Sequence, residues 1–198
     1  MLKVKDQGAQ AQPKKYYTAE EYLAMEETAE YKSEYYEGEL FGMAGASIDH
    51  DRIVGNVYAR MNLAFSGNKC EAFTSNMRLW IKSKNFYTYP DTMVMCGKPE
   101  FYQNRNDTIT NPLLIVEVLS KSTQSYDRGE KFSFYQSIPT LREYILFDQH
   151  KIHVEQFSLG ADGKWALTEY NDAGDILRCT SVDFQIPLRD IYDRVEFE

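Results

Sequence analysis

Two acids stand where acids are costly. Asp91, in Tyr89-Pro90-Asp91, and Glu117, in Leu114-Ile115-Val116-Glu117-Val118-Leu119-Ser120, each interrupt an apolar, strand-like run. A carboxylate in such a place is expensive to desolvate unless a cation or hydrogen-bond donors meet it, so two of them suggest one shared divalent metal site. Phosphodiester hydrolysis needs a water made nucleophilic, charge stabilisation on the phosphoryl oxygens and assistance to the leaving oxygen, and Mg (or Mn) can supply all three. Asp91 and Glu117 would furnish the carboxylates and the backbone carbonyl of Val118 a third ligand. The leading expectation is a metal-dependent phosphodiesterase.

Alternation along the second segment puts Glu117 and Leu119 on one face and Val116 and Val118 on the other. A cation two residues after Glu117 would sit beside it, but that position holds Leu119, so a lysine that orients water must come from elsewhere. Asp127, Lys131 and Tyr135 recur at four-residue spacing and share a helical face that can turn toward Glu117. The competing reading is an ordinary surface ion pair between Asp127 and Lys131, worth roughly 0.2 to 0.5 kcal/mol.

The elements that must position these residues read as follows. Residues 1–15 are polar and aperiodic, a flexible tail, and residues 16–198 form one domain. Thr18-Ala19-Glu20-Glu21 fits a capping box opening a short acidic helix, and Glu34 to Leu40 reads as strand and turn. A second helix starts near Asp49, with Ile53, Val57, Met61 and Ala64 or Phe65 as its apolar stripe and Gly67 as its end. Cys70 to Ser75, Met77 to Lys82 and Phe86 to Cys96 read as three strands, followed by a polar loop and the strand Leu113 to Leu119, all in one sheet. Thr123 to Ser137 is helical, stopped by Ile138-Pro139, and Leu141 to Asp148 is a strand. Lys151 to Leu159 and Trp165 to Tyr170 form a hairpin, and Leu188 to Val195 closes with a helical turn. Helices flanking a mixed sheet indicate an α/β or α+β sandwich.

Composition constrains the partners. With 198 residues, 43% hydrophobic, the chain can bury one core. No apolar run approaches a membrane span or a signal peptide, so a cytoplasmic location and no membrane partner are expected. Cys70, Cys96 and Cys179 lack metal-ligand spacing and read as reduced thiols. The net charge of −8 argues against nucleic acid, yet Tyr16 to Asp51 carries −9, which leaves the rest at +1. Lys69, Arg78, Lys82, Lys84, Lys98, Arg105, Lys121, Arg128 and Lys131 then lie in the part of the chain that holds the two acids.

The arrangement resembles the PD-(D/E)XK nuclease superfamily, and more closely its Uma-two branch of restriction-endonuclease-like proteins. The matching segments are Glu34-Tyr35-Tyr36-Glu37-Gly38-Glu39, His50 at the head of the second helix, Pro90-Asp91, Glu117-Val118-Leu119-Ser120, and Asp127, Lys131 and Tyr135. The resemblance implies a restriction-endonuclease-like mixed β-sheet core flanked by helices, here with an added β-hairpin region, a divalent metal, DNA as substrate, and Asp91 and Glu117 as metal ligands. It also implies that Lys131 replaces the lysine missing at Leu119, and that Glu34 is an additional metal-site acid. Lys121 stands where the branch commonly has proline and is a second candidate for the catalytic lysine. His50 could hydrogen-bond a metal water or a phosphate, or simply cap its helix. Ser120 reads as a strand terminator and cap, Tyr135 as a packing residue with its hydroxyl near Lys131, and His153 as an exposed strand residue without a partner. The superfamily's habits and the aromatic-rich strands point to a homodimer.

Two other readings compete with the endonuclease. One is a catalytically inactive module of the same fold that binds DNA or a protein. The other is a structural protein in which Asp91 and Glu117 pair with Arg78 or Arg128.

Overall fold

The computed structural model describes residues 15–197. Thr18 caps helix α1 (Ala19–Glu26): its hydroxyl accepts from the Glu21 amide while the Glu21 carboxylate accepts from the Thr18 amide, the reciprocal box expected from the sequence. Strands β1 (Ser33–Tyr36) and β2 (Glu39–Gly42) form a hairpin whose two turn residues, Glu37 and Gly38, both have positive φ (46° and 95°), as the tight turn between twisted strands demands. Helix α2 (Ile48–Ala64) is capped by Ser47, and Asp49 and Asp51 in its first turn favour the dipole.

Next come β3 (Cys70–Thr74), β4 (Arg78–Ile81), β5 (Phe86–Thr88), β6 (Thr92–Cys96), the two-residue β7 (Thr108–Ile109) and β8 (Leu114–Leu119). A helical stretch of α3 (Gln124–Tyr126), a π-helical segment Asp127–Lys131 and α4 (Phe132–Tyr135) leads to β9 (Glu143–Asp148), β10 (Val154–Leu159), β11 (Trp165–Tyr170), β12 (Ile176–Arg178), β13 (Gln185–Pro187) and α5 (Leu188–Ile191).

The strands do not form one sheet. Five of them run in the order β2-β1-β5-β4-β7, six in the order β11-β10-β9-β8-β6-β3, and β12 pairs with β13. The run Phe86 to Cys96, expected as one strand, is divided by Tyr89-Pro90-Asp91, with β5 in the first sheet and β6 in the second. Pro90 has no amide to donate to a ladder, so pairing breaks there and the chain can cross between sheets. Asp91 therefore sits at the junction of two sheets rather than inside a strand. The short pairings of β7, β12 and β13 had no clear period in the sequence.

Strand β8 is parallel to β9, antiparallel to β6 and buried along its whole length. Leu114, Val116 and Val118 pack with Ile53, Val57 and Met61 of α2 and with Phe65 at its C-terminal cap, while Ile115 and Leu119 pack with Phe132, Tyr135 and Tyr144 on the other side. Cover on both faces explains the near-continuous apolar run, and each such side chain contributes roughly 1.5 to 3 kcal/mol. Glu117 shares the face of Ile115 and Leu119 and so points at the helical stretch.

That stretch spans the expected range but is not regular. Its middle turn is π-helical with Gly129 at the centre, a residue without Cβ to resist rewinding, and both ends of the widened turn, Asp127 and Lys131, are buried.

Two further expectations are corrected. Cys70 and Cys96 form a disulfide, because the antiparallel register of β3 and β6 sets them directly opposite each other, whereas Cys179 is free. His153 is buried just before β10, its ring bonded to Asn171 (2.8 Å) and Glu155 (3.3 Å). Nearly all of the tail expected over residues 1–15 lies outside the described residues. No helix among them is long and apolar enough to cross a membrane.

Candidate metal and nuclease site

Asp91 and Glu117 meet through reciprocal contacts. Asp91 Oδ2 accepts from the Val118 amide at 2.8 Å, and Glu117 Oε2 accepts from the Asp91 amide at 3.4 Å. The ladder between β6 and β8 ends at Thr92 and Val116, so Val118 has no strand partner on that side and the Asp91 carboxylate takes its amide. Amide and carbonyl of one strand residue face the same neighbour, which turns the Val118 carbonyl toward Asp91 as well.

Lys131 reaches across from the π-helical turn. Its Nζ lies 2.8 Å from Glu117 Oε1, 3.2 Å from Glu34 Oε1 and 3.6 Å from Asp127 Oδ1, and its side chain is 7% exposed. The pair with Asp127 is thus interior, not a solvated surface pair. Tyr135 donates to Glu117 Oε1 at 2.6 Å, which places its hydroxyl on the acid as well as near the lysine. Glu34, on β1, also accepts from Thr88 Oγ1 at 2.5 Å and from the Tyr126 hydroxyl at 3.3 Å. The β1–β2 hairpin and the crossing from β5 to β6 therefore converge on the same lysine.

His50, in the first turn of α2, points Nε2 at Asp91 Oδ2 across 3.2 Å, while its buried Nδ1 has no hydrogen-bond partner among the described residues. The Ser47 hydroxyl accepts from the His50 amide and bonds to Gln149, whose Nε2 donates to the Leu119 carbonyl at 2.9 Å, so the helix start is tied to the end of β8.

Electrostatics follow from burial and crowding. Burial pushes the Glu117 carboxyl up to about 8 despite Lys131, with Asp91 and Asp127 adding to the rise. Burial likewise raises Asp127 against the pull of Lys131. Burial alone would lower Lys131, but Glu117, Tyr135, Glu34 and Asp127 hold it well above an ordinary lysine. Burial also works against the His50 cation, and the hydrogen bond and charge of Asp91 outweigh it, so its pKa is raised.

Among the described residues, Glu34, Asp91, Glu117 and Asp127 are ion-paired with Lys131 and His50. The raised Glu117 and Asp127 carboxyls mark a place where anions are under-compensated, and the hard oxygen donors of Asp91, Glu117 and the Val118 carbonyl are of the kind a divalent cation takes. Among the described residues no three His, Cys, Asp or Glu side chains are disposed to enclose an ion by themselves.

Ser120 terminates β8, and its hydroxyl accepts from the Thr123 amide at 3.2 Å, the capping role expected. Lys121 is exposed and makes no ion pair with the four acids. Arg78 bonds Tyr89 and pairs with Asp107, and Arg128 pairs with Glu155, so neither neutralises Asp91 or Glu117. Thr88 and Tyr126 were not foreseen at the site. Thr88 belongs to a fully buried short strand and only its pairing beside β1 marks it, whereas Tyr126 stands one residue before Asp127.

Known proteins resemble this chain in sequence and in fold. Residues 19–189 match the Uma2 family model, described as "Putative restriction endonuclease". Two relatives from Synechocystis sp. (strain ATCC 27184 / PCC 6803 / Kazusa) are "Uncharacterized protein sll1609", 45% identical over 77% of this chain and 86% of its own, and "Uncharacterized protein slr1290", 33% identical over 90% and 92%. The crystal structure of "a putative nuclease belonging to DUF820" from Anabaena variabilis ATCC 29413 superposes with a TM-score of 0.72 at 16% identity, covering 87% of this chain and 96% of that one, and so shares the restriction-endonuclease-like fold. With the family model spanning nearly all of the described residues, the chain belongs to the Uma2 family.

Proposed function

We propose that this protein is a divalent-metal-dependent endonuclease that hydrolyses DNA phosphodiester bonds. The observation that carries the reading is the meeting of Asp91 and Glu117, with the Val118 backbone beside them, in a cluster where four carboxyl groups crowd against Lys131 and His50. Asp91, Glu117 and the Val118 carbonyl would hold Mg or Mn, with Glu34 completing the acidic wall. When bound, such an ion supplies Lewis-acid charge to the phosphoryl oxygens and makes water more acidic.

The remaining work falls to the chain itself. Lys131 holds Glu117 and Glu34 in place and offers a cation toward the attacking water and the phosphoryl charge. Tyr135 fixes the Glu117 rotamer by its hydroxyl, and His50 fixes Asp91, so both acids are oriented before substrate arrives. Closure of the site by α2, the β1–β2 hairpin and the π-helical turn lowers the local dielectric, which strengthens each of these interactions. The proposal includes a cytoplasmic location, one nuclease domain from residue 16 onward, and a homodimer to cut both strands.

The test is incubation of purified protein with single-stranded, duplex, branched and supercoiled DNA in Mg or Mn. Cleavage lost in Glu117→Ala is expected; no cleavage of any substrate, or equal cleavage by the variant, overturns the proposal.

A further inference from the structure

Beyond the acids, the C-terminal ends of the parallel pair β8 and β9 open into a separate cleft. It holds about 270 Å³ and is lined by Leu119, Ser120, Lys121, Gln124, Asp148, His150 and Lys151. Its chemistry is opposite to that of the acidic cluster. Lys121, His150 and Lys151 are all exposed, and neither lysine is paired with a carboxylate among the described residues. Asp148, the one acid in the lining, already accepts from the His150 amide at 2.8 Å. Arg128 holds the Gln124 carbonyl oxygen at 2.9 Å, which leaves the Gln124 amide NH2 as a donor for the cleft.

Position gives the cleft its meaning. Ser120 and Lys121 follow Glu117 by three and four residues, Ser120 just past the end of β8, about 10 Å along the strand from Glu117, and Lys121 in the turn that follows. One nucleic-acid strand can therefore touch both places. In a chain of net charge −8, unpaired lysines beside the proposed cleavage site are a local source of attraction for a polyanion.

We propose that the Lys121–Lys151 cleft, with Gln124 and His150 as further donors, binds a backbone phosphate of the DNA strand next to the one being cleaved. This rests on the nuclease reading and assigns Lys121 to holding the substrate, leaving Lys131 as the lysine of the reacting centre. The contact is to phosphate, so it adds affinity without sequence preference.

The experiment is fluorescence anisotropy of a short labelled duplex, and of its single strand, with wild type and Lys121→Gln/Lys151→Gln protein, in Ca to hold binding without turnover, across about 50 to 200 mM salt. Both lysines are exposed, so the melting temperature is expected to be unchanged. The double variant is expected to bind at least several-fold more weakly at low salt, with the slope of log affinity against log salt reduced by about one per lysine. Unchanged affinity and slope overturn the cleft even if wild type cuts DNA. Lysine-dependent binding without cleavage in Mg or Mn leaves the cleft and removes the nuclease reading. Failure of wild type to bind either probe overturns the cleft outright.

Discussion

Lys131→Met removes the cation on which three interior acids converge, and the structure fixes how its cost should depend on pH. In the wild type Lys131 lies 2.8 Å from Glu117, 3.2 Å from Glu34 and 3.6 Å from Asp127. In the wild type burial already raises Glu117 to about 8, so its carboxyl is protonated in the folded protein below that pH whether or not Lys131 is present, and removing the cation raises it further. An acid whose folded pKa is raised binds more protons when folded, so stability falls as pH rises from its unfolded value toward its folded one. Both proteins share that fall up to about pH 8, and the difference at Glu117 opens above it with a slope of up to about 1.36 kcal/mol per pH unit. It should grow toward roughly 3 to 5 kcal/mol, the usual cost of breaking a buried pair from one side. Urea unfolding of both proteins at intervals from about pH 6 to 10 measures it. A loss that does not grow above about pH 8 would refute the electrostatic coupling argued for this cluster.

Other perturbations test the supports. Tyr135→Phe deletes the 2.6 Å bond to Glu117 and should cost about 1.5 to 3 kcal/mol by urea unfolding at pH 7, with a larger fractional loss of DNA cleavage than of DNA binding. Asp91→Asn removes the partner that raises the His50 pKa above 6.5, so the imidazole resonance should titrate at lower pH by NMR. The stabilisation from that pair is complete below pH 6.5 and fades as pH rises through the folded value, so the variant's extra stability loss should be greater at pH 5.5 than at pH 8.5. Reducing the Cys70–Cys96 bridge, which closes a 26-residue separation, should lower stability by about 3 kcal/mol in denaturant titrations with and without reductant.

Much of this arrangement is written locally. The Thr18 capping box, the Ile53, Val57, Met61 stripe and the continuous apolar run around Glu117 each signal their element within a few residues, and the elements appear where those patterns predict. What local patterns omit is pairing. Nothing near Cys70 announces Cys96, because their contact is created by strand register, and nothing in Phe86 to Cys96 except Pro90 marks the change of sheet. The π-helical turn is equally silent, since Asp127 and Lys131 keep the four-residue spacing of a regular helix. An acid in an apolar strand is also not sufficient as a sign of a metal site. Glu143 in β9 has the same context as Glu117, but Gln156 and the Thr180 and Ser181 amides satisfy its carboxylate, so no cation is called for. The difference between the two glutamates lies in which distant segments fold against them.

The metal claim is tested most directly by calorimetric titration of Mn into wild type, Asp91→Asn and Glu117→Gln protein with a short DNA duplex present. Binding in the wild type that is lost or strongly weakened in both variants is the expected result. No binding in the wild type, or equal binding in all three, would contradict a metal held by Asp91 and Glu117.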